Sequence, residues 1–499
     1  LFKNSQLETV KLWLINPKYA ALPRYARIQR AIRQLILDGV LEVGMSLPAS
    51  RGLATSLQVS RDTVEMAYSQ LHAEGFIERH VGQGSVVSKR VQRLPKRSRY
   101  AQQPQPLSLS QRGQAVLSQG GVRDFTQPKA FAPGVPETRL FPLALWEKLQ
   151  RQVLKDEAQR NLRHSDPQGV ASLRQAIANY VNLERGAHAT PERVLVLTSS
   201  QQAMSLCAQM LLDVGEHIFI EDPIYHGARK AFDAAGLHCI PIALDQDGLQ
   251  VEQLTRHNPT AKAVFLTPSH QYPTGVTLSL DRRLDIIEWA QKNQSWIIED
   301  DYDSEFHYAG KPTACVQGLD PHQRTIYIGT FTKSLFPGVR IAYMLLPEQL
   351  VTAMTVARTL LDGHSAAMPQ FTLARFMQAG HYGAYVRNMR LVYGERMQCL
   401  VELIQQHLAA DLEAIVPSGG LQMPCRLKSN ISEQRLVEHA QQAGIDLVGL
   451  SSLYAHAAAY PGVLMGFAAY TAEELKCAVL KLAELIHALR SSSNATELL

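Results

Sequence analysis

The sequence predicts an α/β multidomain protein: a small helical module closed by a β-hairpin, followed by a larger body with a mostly parallel sheet. Three observations lead there. Charge is segregated along the 499 residues: the segment up to Arg123 carries 18 Lys+Arg against 7 Asp+Glu, a net +11, and the remainder carries −6. The N-terminal segment reads as short capped helices and then a hairpin. From about Phe125, short apolar runs alternate with amphipathic helical stretches, the pattern of a sheet flanked by helices. A chain this long exceeds one ordinary domain, and 46% hydrophobic with 19% charged residues is the composition of a folded protein.

In the N-terminal module, Tyr25, Ile28, Ile32, Leu35 and Ile36 recur at helical spacing and Gly39 stops the helix. Ser50 is placed to cap a helix through Leu53, Ala54 and Leu57. After a turn at Gln58-Val59, Ser60 caps another, with Val64, Ala67, Tyr68 and Leu71 on one face and Gly75 at its end. Two capped helices joined by a tight turn make a helix-turn-helix whose second member would read a major groove from its polar first turn, Ser60 to Thr63. Phe76–Arg79 and Ser85–Val87, around Gly82-Gln83-Gly84, then form a wing. With no acidic residue between Glu78 and Asp124, a polyanion such as nucleic acid is the expected partner, a solvated, soluble basic tail being the other reading of the charge alone. KRVQRLPKRSR, six basic residues in eleven, and the polar QQPQPLSLSQRGQ then read as a basic, flexible linker.

In the body, Val194–Leu197, His217–Ile220, Ala263–Leu266, Trp296–Ile298 and Thr325–Ile328 read as buried strands. Ligands of such sheets gather beyond the carboxyl ends of the strands. Thr198-Ser199-Ser200-Gln201 follows the first run and opens a helix, a ready anion site. Tyr225 follows the second, TPSHQYPTG the third, Glu299-Asp300-Asp301-Tyr302 the fourth, and GTFTKSLFPGVR the fifth. An anion cradle, a flat aromatic, a carboxylate and a lysine in a hydroxyl-rich turn together point to pyridoxal 5′-phosphate (PLP). The lysine would form a Schiff base with its aldehyde and the carboxylate would hold its ring nitrogen protonated.

These residues carry two resemblances. LPASRGLATSLQVSRDTVEMAYSQLHAEGFIERHVGQGSVV resembles the winged helix-turn-helix of GntR-type bacterial regulators. That resemblance implies operator DNA contacts from Arg51, Ser60, Arg61 and Thr63, with Gly82 and Gly84 shaping the wing; for Arg51 a helix-terminal salt bridge is the other reading. Glu65 stands where some relatives carry a basic contact. The body, through IIEDDYDSEF, TPSHQYPTG and GTFTKSLFPGVR, is similar to PLP-dependent aminotransferases of fold type I, in the version fused to a GntR module, the MocR-type regulators. The resemblance implies Lys333 as the Schiff-base lysine, Asp300 on the pyridinium, Tyr302 on the ring hydroxyl and Tyr225 stacked on the ring. Ser200, Gln201, Thr330, Thr332 and Arg340 would hold the phosphate. It also implies a head-to-tail homodimer and four parts: a winged helix-turn-helix (1–88), a basic linker (89–124), a large PLP-binding domain (125–352) and a small C-terminal α/β domain (353–499).

The chain departs from the aminotransferase pattern at Ser199 (often Gly), His164 (commonly Tyr), Tyr272 (Asn) and Leu464, near which an Arg usually clamps the substrate carboxylate. Leucine cannot replace a bidentate cation, which argues against ordinary amino-acid transamination. The expectation is a PLP-binding transcription regulator, its effector PLP itself or a small amine or amino acid; the alternative is an active aminotransferase with an accessory DNA-binding module. Six scattered cysteines without C-x-x-C pairing predict free thiols and no metal site. Without an 18-residue apolar stretch, and with Lys3, Glu8 and Lys11 at the start, the expectation is a cytoplasmic protein with no membrane partner.

Overall fold

The computed structural model describes residues 3–80, 84–93, 109–122, 125–257, 261–309, 313–428, 431–456, 458 and 460–496. It divides into two compact units, Leu1–Ser108 and Leu109–Leu499.

The first unit packs four helices, α1 (Asn4–Ile15), α2 (Arg24–Leu37), α3 (Ser50–Leu57) and α4 (Arg61–Ala73), against a hairpin of β1 (Ile77–His80) and β2 (Gly84–Val87). Its core is the apolar face read from the sequence, Ile28, Ile32, Leu53, Leu57, Val64, Tyr68 and Leu71 among others. Gln58 closes α3 in the left-handed conformation at φ 52°, which makes the turn before α4 tight. Ser60 caps α4 through Thr63 N at 3.2 Å. Ser50 does not cap: it is the first residue of α3, preceded by Ala49, so its hydroxyl is left for α4. Helix α1, whose Val10 is buried in the same core, had no counterpart in the sequence reading. Its apolar positions are too evenly spread around the helix to make a stripe.

The second unit holds an eight-stranded sheet ordered β3-β10-β9-β8-β7-β4-β5-β6. The strands are β3 (Val194–Leu197), β4 (His217–Asp222), β5 (His238–Asp245), β6 (Gly248–Leu249), β7 (Ala263–Leu266), β8 (Trp296–Asp301), β9 (Thr325–Thr330) and β10 (Ala342–Leu345). Strands β5, β4, β7, β8 and β9 pair in parallel. Strand β10 runs against both β3 and β9. The five apolar runs of the sequence are all strands of this sheet. Packing on both faces buries β3, β7, β9 and β10 along their whole length, which is why they lack alternation. A second sheet, β11 (Leu412–Ala414), β12 (Gln422–Leu427), β13 (Val448–Gly449) and β14 (Gly462–Gly466), is antiparallel in the order β11-β12-β14-β13. A helix, Gln111–Ser118, capped by Ser110, stands in the distal part of the segment read as linker. No helix among the described residues is long and apolar enough to cross a membrane.

Candidate functional site

Register gathers the polar strand ends. Ala342 of β10 faces Leu197 of β3 on one side and Thr330 of β9 on the other. The segments after β3 and β9, and Arg340 just before β10, therefore meet at one corner of the sheet. Asp300 faces Ile328 and Asp301 faces Gly329 across β8 and β9, while Leu266 of β7 faces Glu299. The carboxyl ends of adjacent parallel strands thus fall along one edge.

At the corner, Ser199 caps the helix Ser200–Leu211, accepting from Gln202 N at 3.2 Å, so Ser200 and Gln201 form its first turn. Gln201 Nε2 donates to Gly227 O at 2.8 Å, and its Oε1 is buried without a partner among the described residues. Thr330 caps the short helix Phe331–Ser334, its Oγ1 accepting from Thr332 N at 3.2 Å. Arg340 is exposed, left-handed at φ 49°, and makes no side-chain hydrogen bond or ion pair among the described residues. Helix-start N–H groups, hydroxyls and an uncommitted guanidinium make an anion receptor.

Lys333 lies in the helix that follows β9, and its Nζ donates to Gly134 O at 2.7 Å. Asp300 ends in a buried Oδ1 with no partner among the described residues. Burial, then repulsion from Asp301 and Asp303, pushes its carboxyl up to about 8, with Lys333 opposing. Its neighbour is the reverse case. Asp301 accepts from Arg185 Nε at 2.8 Å and Tyr327 Oη at 2.6 Å, and although burial opposes it, Arg185 and Tyr327 hold its carboxyl below the usual range. Three tyrosines line up edge to face: Tyr225 and Tyr272 with centroids 5.6 Å apart, Tyr272 and Tyr302 at 6.1 Å.

In the N-terminal unit, Arg61 opens α4 on the exposed side, and Thr63 Oγ1 lies 2.7 Å from Ser60 Oγ. Arg51 is exposed on α3 and makes no ion pair among the described residues. Gly84 begins β2 at φ 89°, where a side chain would strain the backbone; Gly82 lies outside the described residues. Glu65 of α4 takes a 2.5 Å contact from Arg79 of β1. Ser50 and Arg79 hold its carboxyl below the ordinary value.

Comparison with known proteins agrees with both halves. Residues 24–87 match the family of bacterial regulatory proteins, gntR family, and residues 136–482 match aminotransferase class I and II. The chain is 32% identical over 480 residues to the probable rhizopine catabolism regulatory protein MocR of Rhizobium meliloti, covering 96% of this chain and 97% of that one. It belongs to the MocR-type GntR transcription regulators. To the pyridoxine biosynthesis transcriptional regulator PdxR of Corynebacterium glutamicum it is 28% identical, covering 92% of this chain and 95% of the other. The body has the fold of the Pyrococcus horikoshii kynurenine aminotransferase (TM-score 0.67, 24% identity, 78% of this chain and 96% of that one).

A MocR-type regulator binds DNA through its GntR module and carries an aminotransferase-class, PLP-dependent body. The residues present fit PLP: a buried carboxyl oxygen lacking a partner suits a ring N–H, and the corner suits a phosphate. Sequence reasoning missed Gln422 of β12, whose Nε2 lies 3.3 Å from Tyr302 Oη. It also missed Tyr382, which donates to Glu305 Oε1 at 3.1 Å and lies 2.9 Å from Ser334 Oγ, beside Lys333. The one local signal was a buried glutamine at the start of a strand whose next three residues, Met423, Pro424 and Cys425, are buried without a charge. Nothing local ties it to residue 302.

Proposed function

We propose that this MocR-type regulator senses PLP, or a small amine or amino acid by way of bound PLP, and that effector binding alters its grip on operator DNA. The buried Oδ1 of Asp300, without a hydrogen-bond partner among the described residues and within the electrostatic reach of Lys333, carries the reading. PLP, when bound, supplies an electrophilic carbonyl carbon on an electron-withdrawing ring. Lys333 is the residue to which it is linked, Asp300 holds its ring nitrogen, Tyr302 its ring hydroxyl, and Tyr225 stacks on the ring. Ser200, Gln201, Thr330, Thr332 and Arg340 hold the phosphate. Arg51, Ser60, Arg61, Thr63, Gly82 and Gly84 make up the DNA-contacting surface.

A head-to-tail homodimer in the cytoplasm and the four-part organisation 1–88, 89–124, 125–352 and 353–499 belong to the same proposal. So do target genes of vitamin B6, amino-acid or amine metabolism. Regulation requires the effector to bind the two conformations unequally. The test is a titration of PLP into apo-protein, following absorbance and operator affinity together. A coupled change supports the sensor; cofactor uptake with unchanged operator affinity sinks PLP as effector. The second reading, a working aminotransferase, draws on the same lysine and aspartate. Multiple turnovers with an amino-acid and keto-acid pair would establish it.

A further inference from the structure

The small sheet turns one face to the aminotransferase-like core and the other toward the tyrosines. Met423, Cys425, Val463 and Met465 alternate into the large apolar cluster. Gln422, Pro424, Arg426, Gly462, Leu464 and Gly466 therefore share the opposite face, and the pairings Gln422 with Gly466 and Pro424 with Leu464 agree. Gln422 is 5% exposed; Tyr302 Oη takes its Nε2, and its Oε1 is buried without a partner among the described residues. A Cβ built on Gly134 would lie 3.1 Å from Lys333 Nζ and 3.6 Å from Gln422 Oε1, so the lysine and the vacant acceptor flank one small space. Leu464, fully buried, clusters with Leu450 and Leu453, and Tyr272 packs against them. The only cation on this face, among the described residues of the sheet, is Arg426. It is committed: it sits over the Tyr460 ring at 4.5 Å and lies 3.4 Å from Glu413.

A ligand carboxylate set against Leu464 would lose its hydration without gaining a charge partner, and a buried unpaired ion costs several kcal/mol. A hydroxyl or N–H near the reacting nitrogen would instead satisfy Gln422 Oε1, and an apolar flank would meet Leu464 and Tyr272. We propose that this site takes a primary amine lacking an α-carboxylate, with a hydrogen-bond donor one carbon from the amine-bearing carbon and an apolar side group. It does so in preference to the amino acid of the same skeleton. This rests on the PLP reading above and names the ligand class of that same site.

Three matched probes test it on the PLP-loaded full chain: 2-amino-1-phenylethanol, 3-phenylserine (the same skeleton with a carboxylate) and 2-phenylethylamine (without the hydroxyl). Affinity is read by calorimetry and by change of the cofactor absorbance. The expected order places the amino alcohol at least tenfold tighter than 3-phenylserine and about fivefold tighter than 2-phenylethylamine. Gln422→Leu should erase the second difference and leave the first. Leu464→Arg should narrow the first; if that variant does not fold, the wild-type comparison still decides. Equal or tighter binding of 3-phenylserine to wild type overturns the inference, and equal binding of the two amines overturns the role of Gln422. Before any amine is added, the loaded protein must show a visible band that Lys333→Ala lacks. Its absence overturns the cofactor reading and this inference with it, whereas a normal band with carboxylate preference overturns this inference alone.

Discussion

Asp300 and Asp301 are adjacent and chemically identical, yet the structure gives them opposite tasks. Successive residues of a strand point to opposite faces, so Asp301 reaches Arg185 and Tyr327 while Asp300 reaches neither. An ion pair holds the first ionised; burial beside other carboxylates holds the second protonated until about pH 8. Replacing Asp300 by Asn should weaken PLP affinity by at least tenfold, measured by equilibrium dialysis. Asp301→Asn should instead destabilise the fold, because it strands the buried Arg185. Lys333→Ala should remove the visible absorbance of the loaded protein while far-UV circular dichroism stays unchanged. An unaltered spectrum would reject the lysine assignment.

Helix α4 shows how an element can be legible while its surface is not. Its cap, buried stripe and glycine stop follow from local chemistry, and they leave Arg61 exposed at the first turn. Arg61→Ala should cost about 1–3 kcal/mol of operator affinity in a gel-shift titration, with the cofactor spectrum untouched. The tie between Glu65 and Arg79 crosses from helix to wing and sets a carboxylate on the DNA-reading element. Glu65→Ala frees Arg79 and removes a negative charge from that surface. The expected outcome is tighter nonspecific DNA binding and a steeper salt dependence, with the log–log slope increased by about one. An unchanged slope would show that Arg79 does not face DNA.

For the whole molecule, the body carries several buried carboxyls whose protons are retained far above the usual range: Glu221 and Glu299 to about 7, Asp300 and Glu305 to about 8, burial being the first cause in each. Their unfolded counterparts ionise near pH 4. Between those limits the folded state binds more protons, so this contribution to stability is complete below about pH 4 and is lost as pH rises through 7 to 8. The melting temperature of the cofactor-free protein should therefore fall between pH 5 and pH 8.5. In Asp300→Asn that fall should shrink by about 5 °C. An identical pH slope in the two proteins, followed by differential scanning calorimetry, would refute the raised carboxyl.

Local spacing determined the helix-turn-helix, the five central strands and the lysine, tyrosine and hydroxyl runs at their ends, because periodicity, caps and apolar runs are properties of neighbouring residues. The net charge of +11 up to Arg123 and −6 beyond it likewise needs only the sequence. Tertiary structure decided which of the two aspartates pairs with Arg185, brought Gln422 to Tyr302 from 120 residues away, and set Leu464 in an apolar cluster with Tyr272. Strands β5 and β10 escaped the sequence reading as well. Half-buried β5 lacks a continuous apolar run, and β10 takes its place from β3 and β9, against which it pairs. Contacts between distant segments exist only after the chain has closed on itself. The ligand chemistry of the site is written in those contacts.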